Sequence, residues 1–156
     1  MADELKTRIQ TPAAPKASGP YSQAIVANGM VFCSGQVAVD PVTNQLIEGD
    51  IRAQTHRALK NLDAVLKAAG SNLHHAVKVN VYLAHFGDFA AMNEVYQEYF
   101  PDPLPARSTI EAGSLPRNVL VEIECTALIP RYIASLSVVN THESQSTFDL
   151  DEDRDF

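Results

Sequence analysis

The 156-residue chain has no tryptophan and only two cysteines, Cys33 and Cys125. Two cysteines are too few for a disulfide framework, and this pair is too far apart in sequence for a CxxC motif. No apolar run approaches the ~18 residues that cross a bilayer, so no transmembrane helix and no membrane partner is expected. No Asn-x-Ser/Thr sequon occurs. The N-terminal stretch MADELKTRIQ lacks the apolar core of a secretory signal. Asp3 and Glu4 argue against an Arg-rich, acid-poor mitochondrial presequence. Together these absences predict a reducing compartment, most simply the cytoplasm, with the mitochondrion as the alternative.

Cofactor signatures are missing as well. There is no Walker A loop, no GxSxG elbow, no HExxH and no GxGxxG fingerprint. The histidines His56, His74, His75, His85 and His142 include no pair at the i, i+4 spacing of a helical metal site. No metal and no nucleotide cofactor is expected.

What is present is an ordinary globular balance, 46% apolar and 20% charged residues, in a length that suits one domain. The net charge of −7 is unevenly placed. Glu143, Asp149, Asp151, Glu152, Asp153 and Asp155 face only Arg154 in the last stretch, and the rest of the chain is nearly neutral. Neither part makes a basic nucleic-acid surface, so no nucleic-acid partner is expected.

Residues 1–16 mix Pro12, Pro15 and charges without a period and read as an extended arm. A single domain is expected over 17–132, and the acidic segment 133–156 reads as a disordered tail. Two apolar runs around Asn28-Gly29 predict a hairpin of Gln23–Ala27 and Met30–Ser34. From Ile51 the apolar period becomes helical through Ala69, with Asp50 placed to cap the start and Gly70 to follow the end. Val77, Val79, Val81 and Leu83 then alternate as a strand. Asp88 is placed to cap a second helix carrying Phe89, Met92, Val95, Tyr96 and Tyr99, which stops at Pro101. Ala106–Ala112 and Val119–Ile129 read as the last strands. The order β-β-α-β-α-β-β predicts an α+β fold with two helices packed on one face of a sheet. The other face, with Leu120 and Leu128 among polar groups, is left half apolar and uncovered, which predicts self-association.

Polar residues on or beside these strands are the candidates for chemistry. Arg107 opens a strand and shares a face with Thr109. Glu122 and Glu124 share a face of a strand read as its neighbour. A planar guanidinium suits bidentate recognition of a carboxylate, and a carboxylate close by could orient or deprotonate water. The plainer reading of the same residues is an Arg–Glu pair at the sheet surface. Ser34 ends the hairpin, and Gly35 marks a bulge or a close backbone approach. Tyr21 follows the turn-forming Gly19-Pro20 and reads as a core lid or a ligand contact. Asn93 reads as a hydrogen bonder on a helix face. From the residues alone, the reading stops at an anion-binding site near Arg107.

Five ordered blocks carry a resemblance. They are Ser18-Gly19-Pro20-Tyr21-Ser22-Gln23-Ala24, Cys33-Ser34-Gly35-Gln36, Asn93-Glu94-Val95-Tyr96, Pro105-Ala106-Arg107-Ser108 and Val121-Glu122-Ile123-Glu124. In these the chain resembles the RidA (YjgF) family of reactive-intermediate, enamine/imine deaminases, from about Pro15 to Pro130. The resemblance implies a chorismate-mutase-like fold assembled as a homotrimer with sites between subunits. It implies hydrolysis of 2-imino and 2-enamine acids, such as 2-iminobutanoate and 2-iminopropanoate, to 2-keto acids and ammonia, without cofactor or metal. It assigns Arg107 to the substrate carboxylate and Glu122 to the attacking water. Tyr21 would close the cleft, and Ser34, Gly35, Asn93 and Thr109 would line it. Some members carry a cysteine where this chain has Thr109, and the acidic extension beyond Tyr132 lies outside the family pattern. The rival readings are a non-enzymatic small-carboxylate-binding or chaperone-like trimer, and an endoribonuclease or translation inhibitor.

Overall fold

Asn28 and Gly29 turn the chain at φ 48° and 72°, the left-handed backbone that this dipeptide tolerates. They join β2 (Ala24–Ala27) to β3 (Met30–Cys33), with Ala27 opposite Met30. The computed structural model describes residues 5–131, and the expected acidic tail 133–156 lies outside the described residues.

The N-terminal arm is built into the sheet. Thr7–Ile9 forms β1, antiparallel to β2. The buried Gln23 side chain donates to the carbonyls of Thr11, Ala14 and Pro15 and accepts from Thr11 N. The domain edge read at residue 17 therefore falls inside the packed unit.

α1 (Ile51–Ala68) starts where expected, with the Asp50 carboxylate accepting from Ala53 N at 3.0 Å. Gly70 follows it at φ 80°, the left-handed position that favours glycine. Its buried stripe of Ala58, Leu59, Leu62, Val65 and Leu66 packs on the sheet. β5 (Ala76–Leu83) follows, then α2 (Phe89–Tyr96). The expected Asp88 cap is not formed. Asp88 ends a 3-10 turn over Phe86–Asp88, its own backbone is already helical, and its side chain makes no capping bond. α2 also ends at Tyr96, short of Pro101.

β6 (Ala106–Glu111) and β7 (Val121–Leu128) complete a sheet of order β1-β2-β3-β7-β5-β6, with the short β4 (Gln36–Val37) also paired to β7. β5 and β6 are parallel, and β5 and β7 antiparallel. β6 and β7 are thus not neighbours, because β5 lies between them. Arg107 sits beside Val79, which is fully buried under the helices, whereas Glu122 sits beside Tyr82 on the other face. Arg107 and Glu122 stand on opposite faces of the sheet, and the Arg–Glu surface pair does not form. Alternation along each strand is read correctly, but it cannot show which strand intervenes.

Both helices cover one face. The uncovered face exposes Phe32 (46%) and Ile110 (52%) among Tyr82, Thr126 and Glu124. Leu120 is not part of its apolar character, because it packs against the helix-side core.

Cys33 follows Phe32, which faces Thr126, so the register carries it opposite Cys125. Both are free and buried. The hydrogen bond with Cys33, and then burial, push the Cys125 thiol well above its ordinary range. A thiol held protonated in the core is unreactive. Iodoacetamide at mildly alkaline pH is expected to leave both cysteines unlabelled in the folded protein and to label both in denaturant. Labelling of either in the native state would contradict this burial.

Candidate functional site

The candidate residues fall into two groups, one on each face of the sheet. On the helix side, the edge strand β6 presents Arg107 to α2. Arg107 Nη1 donates to Asn93 Oδ1 at 2.8 Å. Its guanidinium carbon lies 4.6 Å from the Tyr96 ring centroid and 5.6 Å from that of Phe89, a cation–π seat that holds the fork in place. Among the described residues Arg107 has no carboxylate partner. Two further polar groups here are incomplete: Thr109 Oγ1 and Tyr96 Oη are buried without a hydrogen-bond partner. Burial pushes the Tyr96 hydroxyl up to about 12, against a partial pull down from Arg107, so it remains a donor at neutral pH. A fixed cation without a counterion, beside unsatisfied hydroxyls, has the chemistry to receive a small oxyanion.

On the other face, β7 presents Glu122 to a cleft of about 400 Å³ lined by Tyr21, Gln23, Gly35, Gln36, Lys16 and Arg117, among others. Gly35 is required by contact. A Cβ there would lie 2.7 Å from Glu122 Cδ and would overlap its carboxylate oxygen. The glycine signalled in the sequence is thus a close approach, made to a side chain. Burial, and secondarily the charge of Glu124, raise the Glu122 carboxyl above its ordinary value. Glu124 is occupied, accepting from Asn80 Nδ2 at 2.9 Å and Tyr82 Oη at 3.0 Å. Glu122 is therefore the candidate carboxylate for chemistry.

Tyr21 is half exposed at the rim, and its hydroxyl accepts from Ser18 N at 3.4 Å. Ser34 stands beside the cleft rather than in its lining: its hydroxyl donates to Ser22 O at 2.7 Å and anchors the Tyr21 loop. The structure therefore brings Tyr21, Gly35 and Glu122 together, and separately Asn93, Arg107 and Thr109. Sequence reasoning missed Tyr96 and Phe89, which read as core positions, and Lys16 and Arg117. Asn93 and Tyr96 at i, i+3 on one helix face were the available signal. Among the described residues no group of side chains could hold a metal ion, and no helix is long and apolar enough to cross a membrane.

The α+β sheet thus carries a seated guanidinium on its helix side and a carboxylate cleft on its open side. The chain belongs to the Endoribonuclease L-PSP family, the YjgF/RidA family, whose model matches residues 11–129. A RutC family protein of Pyrococcus horikoshii is 50% identical over 123 residues, covering 79% of this chain and 98% of its own. A 2-iminobutanoate/2-iminopropanoate deaminase of Dermatophagoides farinae is 43% identical, covering 80% of this chain and 97% of its own. The crystal structure of E. coli TdcF with bound serine matches with a TM-score of 0.74 at 36% identity, covering 78% of this chain and 98% of that one.

Proposed function

We propose that the protein hydrolyses reactive 2-imino and 2-enamine acids, among them 2-iminobutanoate and 2-iminopropanoate, to 2-keto acids and ammonia. In doing so it protects pyridoxal-phosphate enzymes from damage. The reading is carried by two centres that each lack their complement, the uncompensated Arg107 guanidinium and the half-buried Glu122 carboxyl. The deaminase name of the Dermatophagoides relative and the serine in the TdcF crystal support a small amino-acid-like ligand.

The working unit in this reading is a homotrimer whose sites span subunits. What supports it is that one sheet separates Arg107 from Glu122, and that the open face exposes Phe32 and Ile110. One chain offers the carboxylate anchor, and its neighbour offers the water and its base. The free, buried thiols suit the cytoplasm, where we place it.

The chemistry asks little. Arg107 takes the substrate carboxylate, with Asn93 fixing the guanidinium and Thr109 free to bond near the imine. A protonated imine is already electrophilic at C2, so holding water against it supplies much of the gain. Glu122 accepts a proton from that water as it attacks C2. It then returns the proton to nitrogen and takes the one left on the new C2 hydroxyl as the C–N bond breaks, so that ammonia leaves and the carbonyl forms. Tyr21 at the rim closes over the bound acid.

The test is release of 2-oxobutanoate from 2-iminobutanoate freshly made by a threonine dehydratase, with semicarbazide trapping the imine that escapes. Acceleration by the protein, and a lowered semicarbazide yield, are expected. No acceleration by the folded oligomer overturns the reading. The same geometry would also serve a carboxylate-binding protein without turnover, which the TdcF–serine crystal favours as the second reading. RNA cleavage gains no support here, since among the described residues no histidine lines the cleft.

A further inference from the structure

We infer that the Glu122 cleft carries a second anion site, built by Lys16 and Arg117 in its lining, which selects imino acids bearing a distal carboxylate. The inference rests on the deaminase reading of the same site. Lys16 and Arg117 line the cleft together with Tyr21, Gly35 and Glu122. A cleft of about 400 Å³ falls in the size range that encloses drug-sized ligands, well beyond a small acid such as 2-iminobutanoate.

Arg117 is held in position. It and Asn118 both adopt left-handed backbone, at φ 58° and 56°, a conformation that costs energy for non-glycine residues and persists only where the surroundings fix it. Its Nη2 donates to the Asn44 carbonyl at 3.0 Å. The guanidinium has further donors to offer. Among the described residues neither Lys16 nor Arg117 is ion-paired. Among the described residues Glu122 is the only carboxylate in the lining, and its carboxyl is shifted upward rather than down, as a group without a cation partner would be.

With the 2-carboxylate assigned to Arg107, these two cations have no role toward a monocarboxylic substrate. A 2-imino dicarboxylic acid, the oxidation product of an acidic amino acid, supplies the missing anion. Its hydrolysis is the same reaction. Water gives its oxygen to C2, C=O replaces C=N, both water protons leave with nitrogen as ammonia, and the distal carboxylate is unchanged.

The experiment compares kcat/KM for 2-iminoglutarate and 2-iminobutanoate, each made in situ by an amino-acid oxidase, in wild type, Lys16→Ala, Arg117→Ala and Arg117→Lys. The wild-type ratio is expected to favour the dicarboxylic imine. Each alanine variant is expected to lower that ratio by about ten- to a hundredfold, with Arg117→Lys keeping part of it. An unchanged ratio in both alanine variants overturns the inference. Should the wild type hydrolyse neither imine, the deaminase reading falls, and binding of 2-oxoglutarate against 2-oxobutanoate decides the anion site. Tighter 2-oxoglutarate binding that Arg117→Ala abolishes supports it, and equal affinities overturn it.

Discussion

Glu122→Gln is expected to lower kcat for 2-iminobutanoate by about 10²–10⁴-fold, the usual worth of a positioned general base, while KM moves much less. The amide keeps the shape that fits against Gly35 and can still contact water, but it cannot take a proton. The same change is expected to stabilise the fold at neutral pH. Glu122 has its folded-state carboxyl raised above 4.5, first by burial and then by Glu124. A raised acid favours folding only while protonated. Its contribution is present below the unfolded value and is lost as the pH rises through the folded one. The uncharged glutamine escapes that loss. The Tm of Glu122→Gln should therefore exceed that of wild type at pH 7 and converge with it below about pH 4.5. Activity of the wild type should rise with pH through the raised carboxyl, since the base works ionised. An unchanged kcat would remove Glu122 from the proton transfer, and a lowered Tm at pH 7 would show that its charge is better compensated than its surroundings indicate.

Local signals in the sequence convey the elements of this fold, and the pairing between distant strands is what they leave out. The helix Ile51–Ala68 was legible because its period, its Asp50 cap and Gly70 all agree, each being a local signal. The alternation of β7 was legible for the same reason, and its burial follows that alternation residue by residue. The hairpin turn was legible in Asn28-Gly29. The order of strands was not. That β5 separates β6 from β7 depends on the parallel crossover through α2, which no local pattern encodes. β1 was missed because three residues paired through their backbone show no period. Arg107 and Glu122 stood out as candidates because charged groups are unusual at strand positions, and Gly35 because a glycine at the end of a hairpin strand marks a bulge or a close approach. Tyr96 did not, because a tyrosine in an apolar helical stripe looks the same whether it packs a core or seats a cation. Lys16 and Arg117 were silent because their location at one cleft depends on loops far apart in the chain.

Subunits carrying Arg107→Ala and subunits carrying Glu122→Gln, each nearly inactive alone, are expected to recover about a quarter of wild-type activity when co-expressed in equal amounts and assembled at random in a symmetric ring. Arg107→Ala alone should cost about a hundredfold in kcat/KM, the loss of a charge-assisted carboxylate anchor. On the proposed arrangement, each site in the mixture would draw its carboxylate base from one chain and its guanidinium from the next. An intact site forms wherever an Arg107→Ala subunit lends Glu122 to a neighbour that still has Arg107. The doubly damaged sites that form in equal number stay silent. Recovery cannot come from within a chain, because Arg107 and Glu122 face opposite sides of the same sheet. If both residues served one site in one subunit, the mixture would show no more activity than the variants apart. Native mass of the mixed species would report the ring size independently, with a trimer expected. Recovery in a trimer would place the reacting centre at the seam between subunits, where the open sheet face with its exposed Phe32 and Ile110 would also be covered.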